Sequence, residues 1–245
     1  MGDNRPMRRS PPLRASAPTS AVALAPVSRP ARRRRVLVLA ACLLASGCSS
    51  PSPWFVEQTA ALGVDLRYHS GDQERKWLPT IMGGGIALFD ADGDDDLDLY
   101  VVDGNDHLLD DRAEGAITNH FLRNEGGRFR DDTAASGLGD ARYGQGVAIG
   151  DVDNDGDLDV YVTNFGADQL YRNAGDGRFT NVTREAGIAV DGHSASAAFC
   201  DVDRDGWLDL FVARYIAFDP DTACFDPAGR RDFCGPHSFD PVPSV

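Results

Sequence analysis

Three short stretches of the chain alternate their side chains with a period of two. Leu97, Leu99 and Val101 share one side of a predicted strand and Tyr100 holds the other; Leu158, Val160 and Val162 are set against Tyr161, and Leu208, Leu210 and Val212 against Phe211. A period of two sends successive side chains to opposite faces of a strand. Apolar groups on both faces predict strands covered from both sides, as where sheets stack. Around the middle copy, Val147–Ile149 leads in, Gln169–Arg172 supplies a third strand and Arg178–Thr183 a fourth.

Two further patterns recur. Phe55–Val64 (FVEQTAALGV), Phe129–Leu138 (FRDDTAASGL) and Phe179–Ile188 (FTNVTREAGI) are copies of one motif; Phe121–Asn124 (FLRN) and Leu170–Asn173 (LYRN) are copies of another. Each of the latter is followed by hairpin-turn chemistry, Glu125–Gly127 and Ala174–Gly177. The best-formed unit, residues 144–188, has the length of a four-stranded propeller blade. The predicted fold is all-β: a partial β-propeller with an orphan strand at 54–64 (Trp54–Thr59), blades at 83–138 and 144–188, and a third begun over 193–245.

Each alternating strand is preceded by an Asp-rich nonapeptide: Asp90–Asp98 (DADGDDDLD), Asp151–Asp159 (DVDNDGDLD) and Asp201–Asp209 (DVDRDGWLD). Unit charges about 4 Å apart repel by roughly 4 kcal/mol at an effective dielectric of about 20, so such a cluster calls for a cation. Hard oxygen ligands on a flexible loop suit Ca²⁺ better than Mg²⁺. The predicted side-chain ligands are loop positions 1, 3, 5 and 9: Asp90, Asp92, Asp94 and Asp98; Asp151, Asp153, Asp155 and Asp159; Asp201, Asp203, Asp205 and Asp209. The position-7 carbonyls of Asp96, Asp157 and Trp207 complete up to three calcium sites. Gly156 and Gly206 give position 6 its backbone freedom, and Asp95 stands there in the first loop. Position 12 is Val101, Val162 and Val212, where a helix–loop–helix calcium site needs a bidentate Glu, so that architecture is excluded.

The formal charge is −14, but residues 1–47 carry nine Arg and a single Asp, which leaves −22 on residues 48–245. So acidic a body does not bind nucleic acid by neutralising phosphates. Arg32–Arg35 is followed by the apolar run Val36–Ala45, too short for a bilayer span of about 20 residues. Residues 1–47 therefore read as a disordered n-region with an export signal. Its end, Leu44–Ser50 (LASGCSS), resembles a bacterial lipobox, with Ala45 where that pattern prefers Leu. The resemblance implies cleavage behind Gly47, lipidation of Cys48, and membrane attachment by that anchor in the cell envelope.

In an oxidising compartment Cys224 and Cys234 are expected to form a disulfide, stapling a long loop that otherwise lacks apolar anchors. Cys200 is expected to be a small buried strand residue. His69, His107, His120, His193 and His237 show no metal-ligand spacing and are assigned packing or surface roles. There is no nucleophile elbow or phosphate loop. Gly83–Gly85 precedes a strand and predicts a close approach of backbones. No catalytic residue is predicted.

The stretches 83–105 (GGGIALFDADGDDDLDLYVVDGN), 146–164 (GVAIGDVDNDGDLDVYVTN) and 170–188 (LYRNAGDGRFTNVTREAGI) resemble FG-GAP, or VCBS, repeats of integrin-type β-propellers. Tyr215–Pro243, with CFDPAGRRDFCGP at 224–236, is similar to cartilage-acidic-protein-like chains that carry an ASPIC/UnbV segment. The resemblance implies a ring of seven blades, of which this chain reads as the N-terminal part: an open arc with exposed strand edges. It further implies a binding module for a protein or glycan. A polysaccharide-active enzyme or a scaffold for another domain is the alternative.

Overall fold

The alternating stretches form antiparallel sheets because each finds partners close in sequence. The computed structural model describes residues 54–245 except 72–73, 106–107 and 110–116; the signal segment, Cys42, Cys48 and His107 lie outside the described residues. One helical turn, α1 (Thr59–Leu62), comes first. The first sheet is a meander of β1 (Ile86–Phe89), β2 (Asp98–Val101), β3 (His120–Asn124) and β4 (Phe129–Asp131), followed by the turn α2 (Thr133–Ser136). The second repeats it with β5 (Tyr143–Gly150), β6 (Asp159–Phe165), β7 (Gln169–Asn173) and β8 (Phe179–Asn181). The third pairs β9 (Ser194–Cys200) with β10 (Asp209–Arg214). Register is equivalent: Leu99 faces Leu122 and Tyr100 faces Phe121, as Val160 faces Tyr171 and Tyr161 faces Leu170. Val245 exchanges backbone hydrogen bonds with Val212, in the register that Gln169 holds against Val162.

Sheets stack face to face. Phe89, Tyr100, Val102, Phe121 and Leu138 of the first unit interdigitate with Val160, Val162, Tyr171 and Phe179 of the second. The rings of Phe89, Phe121 and Phe179 meet with centroids 6.1 to 6.4 Å apart. The other face of the second sheet, with Ala148, Tyr161 and Leu170, packs on Val212, with Ala197, Phe199 and Leu210 alongside. Both faces of β6 are thus buried, as its alternation predicts. Gly85 lets the backbones close: a Cβ there would lie 2.8 Å from Gly146 Cα. The outward faces are different. Ile86, Leu88 and Leu97 are exposed and line a groove of about 580 Å³ with Leu62, Val64 and Phe129, while Phe211 is exposed on the third sheet.

Three expectations are corrected. Trp54–Thr59 is not a strand, and the orphan strand at 54–64 is absent: Phe55–Gln58 pairs with nothing among the described residues and Thr59 begins α1. The copies at Phe129 and Phe179 become strands only because β3 and β7 lie beside them. Cys200 is exposed, because it shares with Ser196 and Ala198 the face of β9 that no sheet covers. The Tyr215–Pro243 segment has apolar anchors after all. Phe218 packs on Trp77, Phe165 and Phe239, with centroids 5.4 to 6.1 Å apart. Cys224 and Cys234 are bonded across the small hairpin β11 (Cys224–Phe225) and β12 (Arg231–Asp232), with Cα atoms 5.2 Å apart.

Candidate metal centre

Each Asp nonapeptide winds on its own backbone. In the second loop Asp151 accepts from the N–H groups of Asp155 and Gly156 (3.1 and 3.0 Å), Asp155 from Asp157 (3.0 Å) and Asp159 from Val152 (2.9 Å). The third loop repeats every bond: Asp201 with Asp205 and Gly206, Asp205 with Trp207, Asp209 with Val202. The first does so with Asp90, Asp94 and Asp98 accepting from Asp94 and Asp95, Asp96, and Ala91. The winding needs left-handed backbone at position 6, where φ is 99° at Gly156, 95° at Gly206 and 70° at Asp95. Glycine carries no steric cost there, and Asp tolerates the region better than most residues.

This winding gathers carboxylates. Asp90, Asp92 and Asp94 in the first loop, Asp151, Asp153 and Asp159 in the second, and Asp201, Asp203 and Asp209 in the third each bring three ligand oxygens within 4.8 Å of one another. Positions 1 and 3 converge in all three loops. Asp98 stays outside the first group, and Asp155 and Asp205 stay outside theirs. Asp96, Asp157 and Trp207 are held by their N–H groups on the position-5 carboxylates. Two oxygens of the converging residues, Asp92 Oδ1 and Asp153 Oδ1, are buried with no hydrogen-bond donor. An unpartnered buried carboxylate oxygen is costly, and a divalent cation among these oxygens removes that cost. The all-oxygen donor set fits calcium.

Burial pushes the Asp98 and Asp159 carboxyls above their usual range, against two backbone N–H donors each; Asp92, and Asp153 with Asp155, push the same way. Asp153 is raised too, by desolvation and then by Asp155. A bound cation inverts that logic by favouring the ionised forms.

Sequence reasoning missed what the FLRN and LYRN motifs do, although their recurrence was the signal. The Asn124 and Asn173 N–H groups donate to Asp98 and Asp159 (2.7 and 2.8 Å), and their side chains donate to Leu97 O and Leu158 O. Asn173 Nδ2 also reaches across to Ala91 O of the first loop (2.8 Å). Arg123 pairs with Asp92 and with Asp132 (3.0 Å), and it donates to Asp176 O and Gly177 O of the next unit. Arg172 Nη1 lies 4.0 Å from Asp153. The second and third loops are tied by Asn154 Nδ2 on Gly206 O. The three loops therefore form one linked row.

With that geometry established, comparison with known families is decisive. The profile described as FG-GAP-like repeat matches twice, over residues 90–162 and 151–212, which together span half of the chain. The chain belongs to the FG-GAP-like repeat family. Each FG-GAP match runs from one Asp loop through the following alternating strand and on to the next, so the family's unit coincides with the loops and stacked sheets described above. Comparison with curated proteins gives no match. Among the described residues, no helix of this FG-GAP protein is long and apolar enough to cross a membrane.

Away from the Asp loops, two polar groups stand out. His69 Nδ1 lies 2.9 Å and His120 Nε2 3.4 Å from Asp103 Oδ2, and Asp103 is buried beyond the far end of β2. Burial works to raise the Asp103 carboxyl, but the nearby His120 ring and the hydrogen bonds from His69 outweigh it and hold it below its usual range. Asp168, also buried, accepts from Asn164 N–H and Tyr161 Oη–H, and desolvation raises it to about 6. The folded chain thus favours protonated Asp168. Its stabilising effect is complete below the unfolded value of about 3.9 and is lost as pH rises through 6. Relative to Asp168→Asn, the wild type is expected to lose on the order of 2 kcal/mol of unfolding free energy between pH 4 and pH 7. Urea titrations of both proteins at the two pH values check this, and an equal change in unfolding free energy for wild type and variant would refute it.

Proposed function

We propose that this FG-GAP protein is an exported, calcium-binding β-propeller repeat module of the bacterial cell envelope, which presents its loops to a protein or glycan partner. The observation that carries the calcium reading is the repeated convergence of three carboxylates on a self-wound loop, with Asp92 Oδ1 and Asp153 Oδ1 buried and unpartnered. Calcium here acts on structure: it offsets the charge of the loop row and locks each loop to the strands that follow it. Export is supported by the Arg32–Ala45 signal pattern and by Cys48 in its lipobox setting; a Cys224–Cys234 disulfide suits an oxidising compartment. The Tyr215–Pro243 segment supports a likeness to cartilage-acidic-protein-like chains.

The test is removal of the ion. With saturating calcium the melting temperature is expected to rise by about 10 °C or more over the chelated chain, since three weak sites each add linked binding energy. Protease resistance of the loop row is expected to rise with it. An unchanged melting curve and digestion pattern would refute calcium binding. A glycan array and an envelope-protein pull-down, each with and without calcium, then assign the partner class.

A second reading has its own observation. His69 and His120 converge on the Asp103 carboxylate, which the metal loops do not use. An Asp-held imidazole is the arrangement of a general base. If the chain acts on polysaccharide, His69→Ala abolishes turnover on a polysaccharide panel without changing calcium affinity.

A further inference from the structure

Arg123 and Arg172 occupy the same place in their repeats, three residues into the FLRN and LYRN motifs, and each points its guanidinium at the position-3 Asp of its own loop. Those are the carboxylates whose other oxygen, Asp92 Oδ1 or Asp153 Oδ1, has no donor. One oxygen of each carboxylate therefore lies beside an internal cation and the other is buried without a donor. We propose that Arg123 and Arg172 are built-in counter-cations of the loops, which hold the position-3 carboxylate in the metal-free chain and lower the affinity for calcium. The proposal rests on the calcium reading above and concerns how that affinity is set.

The two are not equal. Arg123 is 15% exposed, makes a direct ion pair with Asp92, and is fixed by Asp132 and by Asp176 O and Gly177 O. Asp132 gives it a second seat, so it can release Asp92 without losing every partner. Arg172 is half exposed and only reaches 4.0 Å from Asp153. Among the described residues no ion pair is made by Asp203 of the third loop, which provides an internal reference. A fixed positive charge beside a divalent ion opposes binding, strongly at low dielectric and weakly where water screens it. Removing Arg123 is therefore expected to tighten the first loop by about tenfold, and removing Arg172 to tighten the second by about threefold.

The third loop has Trp207 at position 7, placing an antenna for terbium luminescence beside its site. The same residue at position 7 of the other loops, Asp96→Trp or Asp157→Trp with Trp207→Phe, reports each in turn. Terbium is titrated, then displaced with calcium. Arg123→Gln is expected to tighten the first loop about tenfold while Arg123→Lys, which keeps the charge, leaves it near wild type. Trp207 in the otherwise unchanged chain is expected to report third-loop affinity within about twofold of wild type in every arginine variant. Unchanged or weaker binding at the first loop of Arg123→Gln, with the third loop intact, would overturn the proposal and make Arg123 a strut that positions Asp92. Arg172→Gln alters a surface residue whose side chain has no other partner among the described residues, so it decides the matter even if Arg123→Gln unfolds: no gain at the second loop overturns the proposal. Failure of the calcium reading looks different, because then no loop of the wild type binds terbium or calcium up to millimolar concentration.

Discussion

Phe121→Ala is expected to destabilise the chain by about 4 kcal/mol. Phe121 is fully buried, and its ring meets Phe89 of its own sheet and Phe179 of the next at 6.4 and 6.1 Å. Truncation leaves a cavity at the seam of two sheets, where neither can relax inward without breaking its register. Phe211→Ala serves as the matched control, since that ring is 57% exposed on the uncovered face of the third sheet. It is expected to cost less than about 1 kcal/mol. Urea denaturation of the two variants checks the difference. Equal losses would mean that the stacked faces do not form the core described above.

Asp159→Ala comes second, at about 3 kcal/mol in chelator and more in calcium. Asp159 is fully buried and accepts from the N–H groups of Val152 and Asn173, so its removal strands two donors in the interior. It also takes one of three converging carboxylates from the second loop. Asp159→Asn falls between: its one carbonyl oxygen serves only one of the two N–H groups and its amide faces the other, so part of the stability in chelator is lost while calcium binding at that loop weakens. Asp209→Ala, at an exposed position with one recorded backbone bond, is expected to cost about 1 kcal/mol in chelator. Thermal melts of the three variants with and without calcium distinguish these outcomes.

What the sequence made legible was local. The alternation of Val160, Tyr161 and Val162 depends only on the period of a strand, and the buried faces of β6 follow from it. The positive φ at Gly156 and Gly206 follows from a nine-residue winding that closes on itself. What stayed hidden depends on residues distant along the chain. Arg123 and Asp92 are 31 positions apart, and His69 and Asp103 are 34 apart, with no pattern linking either pair. Phe218 finds Trp77 and Phe165 only after the chain has turned back on the second sheet. The mistaken strand at Trp54–Thr59 has the same origin, since strand character requires a neighbour that an isolated motif does not specify.

That motif nonetheless keeps part of its shape. Thr59 N–H donates to Glu57 Oε1, as Thr133 N–H does to Asp131 and Thr183 N–H to Asn181. In the second and third copies the Thr hydroxyl also accepts from Phe121 N–H and Leu170 N–H, sealing the end of the adjoining strand. The turn is thus written within a few residues, whereas the strand before it is conferred by whatever lies alongside. A duplicated copy of such a unit carries its own punctuation to any new location and becomes sheet only where a neighbour receives it, which lets a chain of this kind lengthen by repetition without first inventing a new boundary.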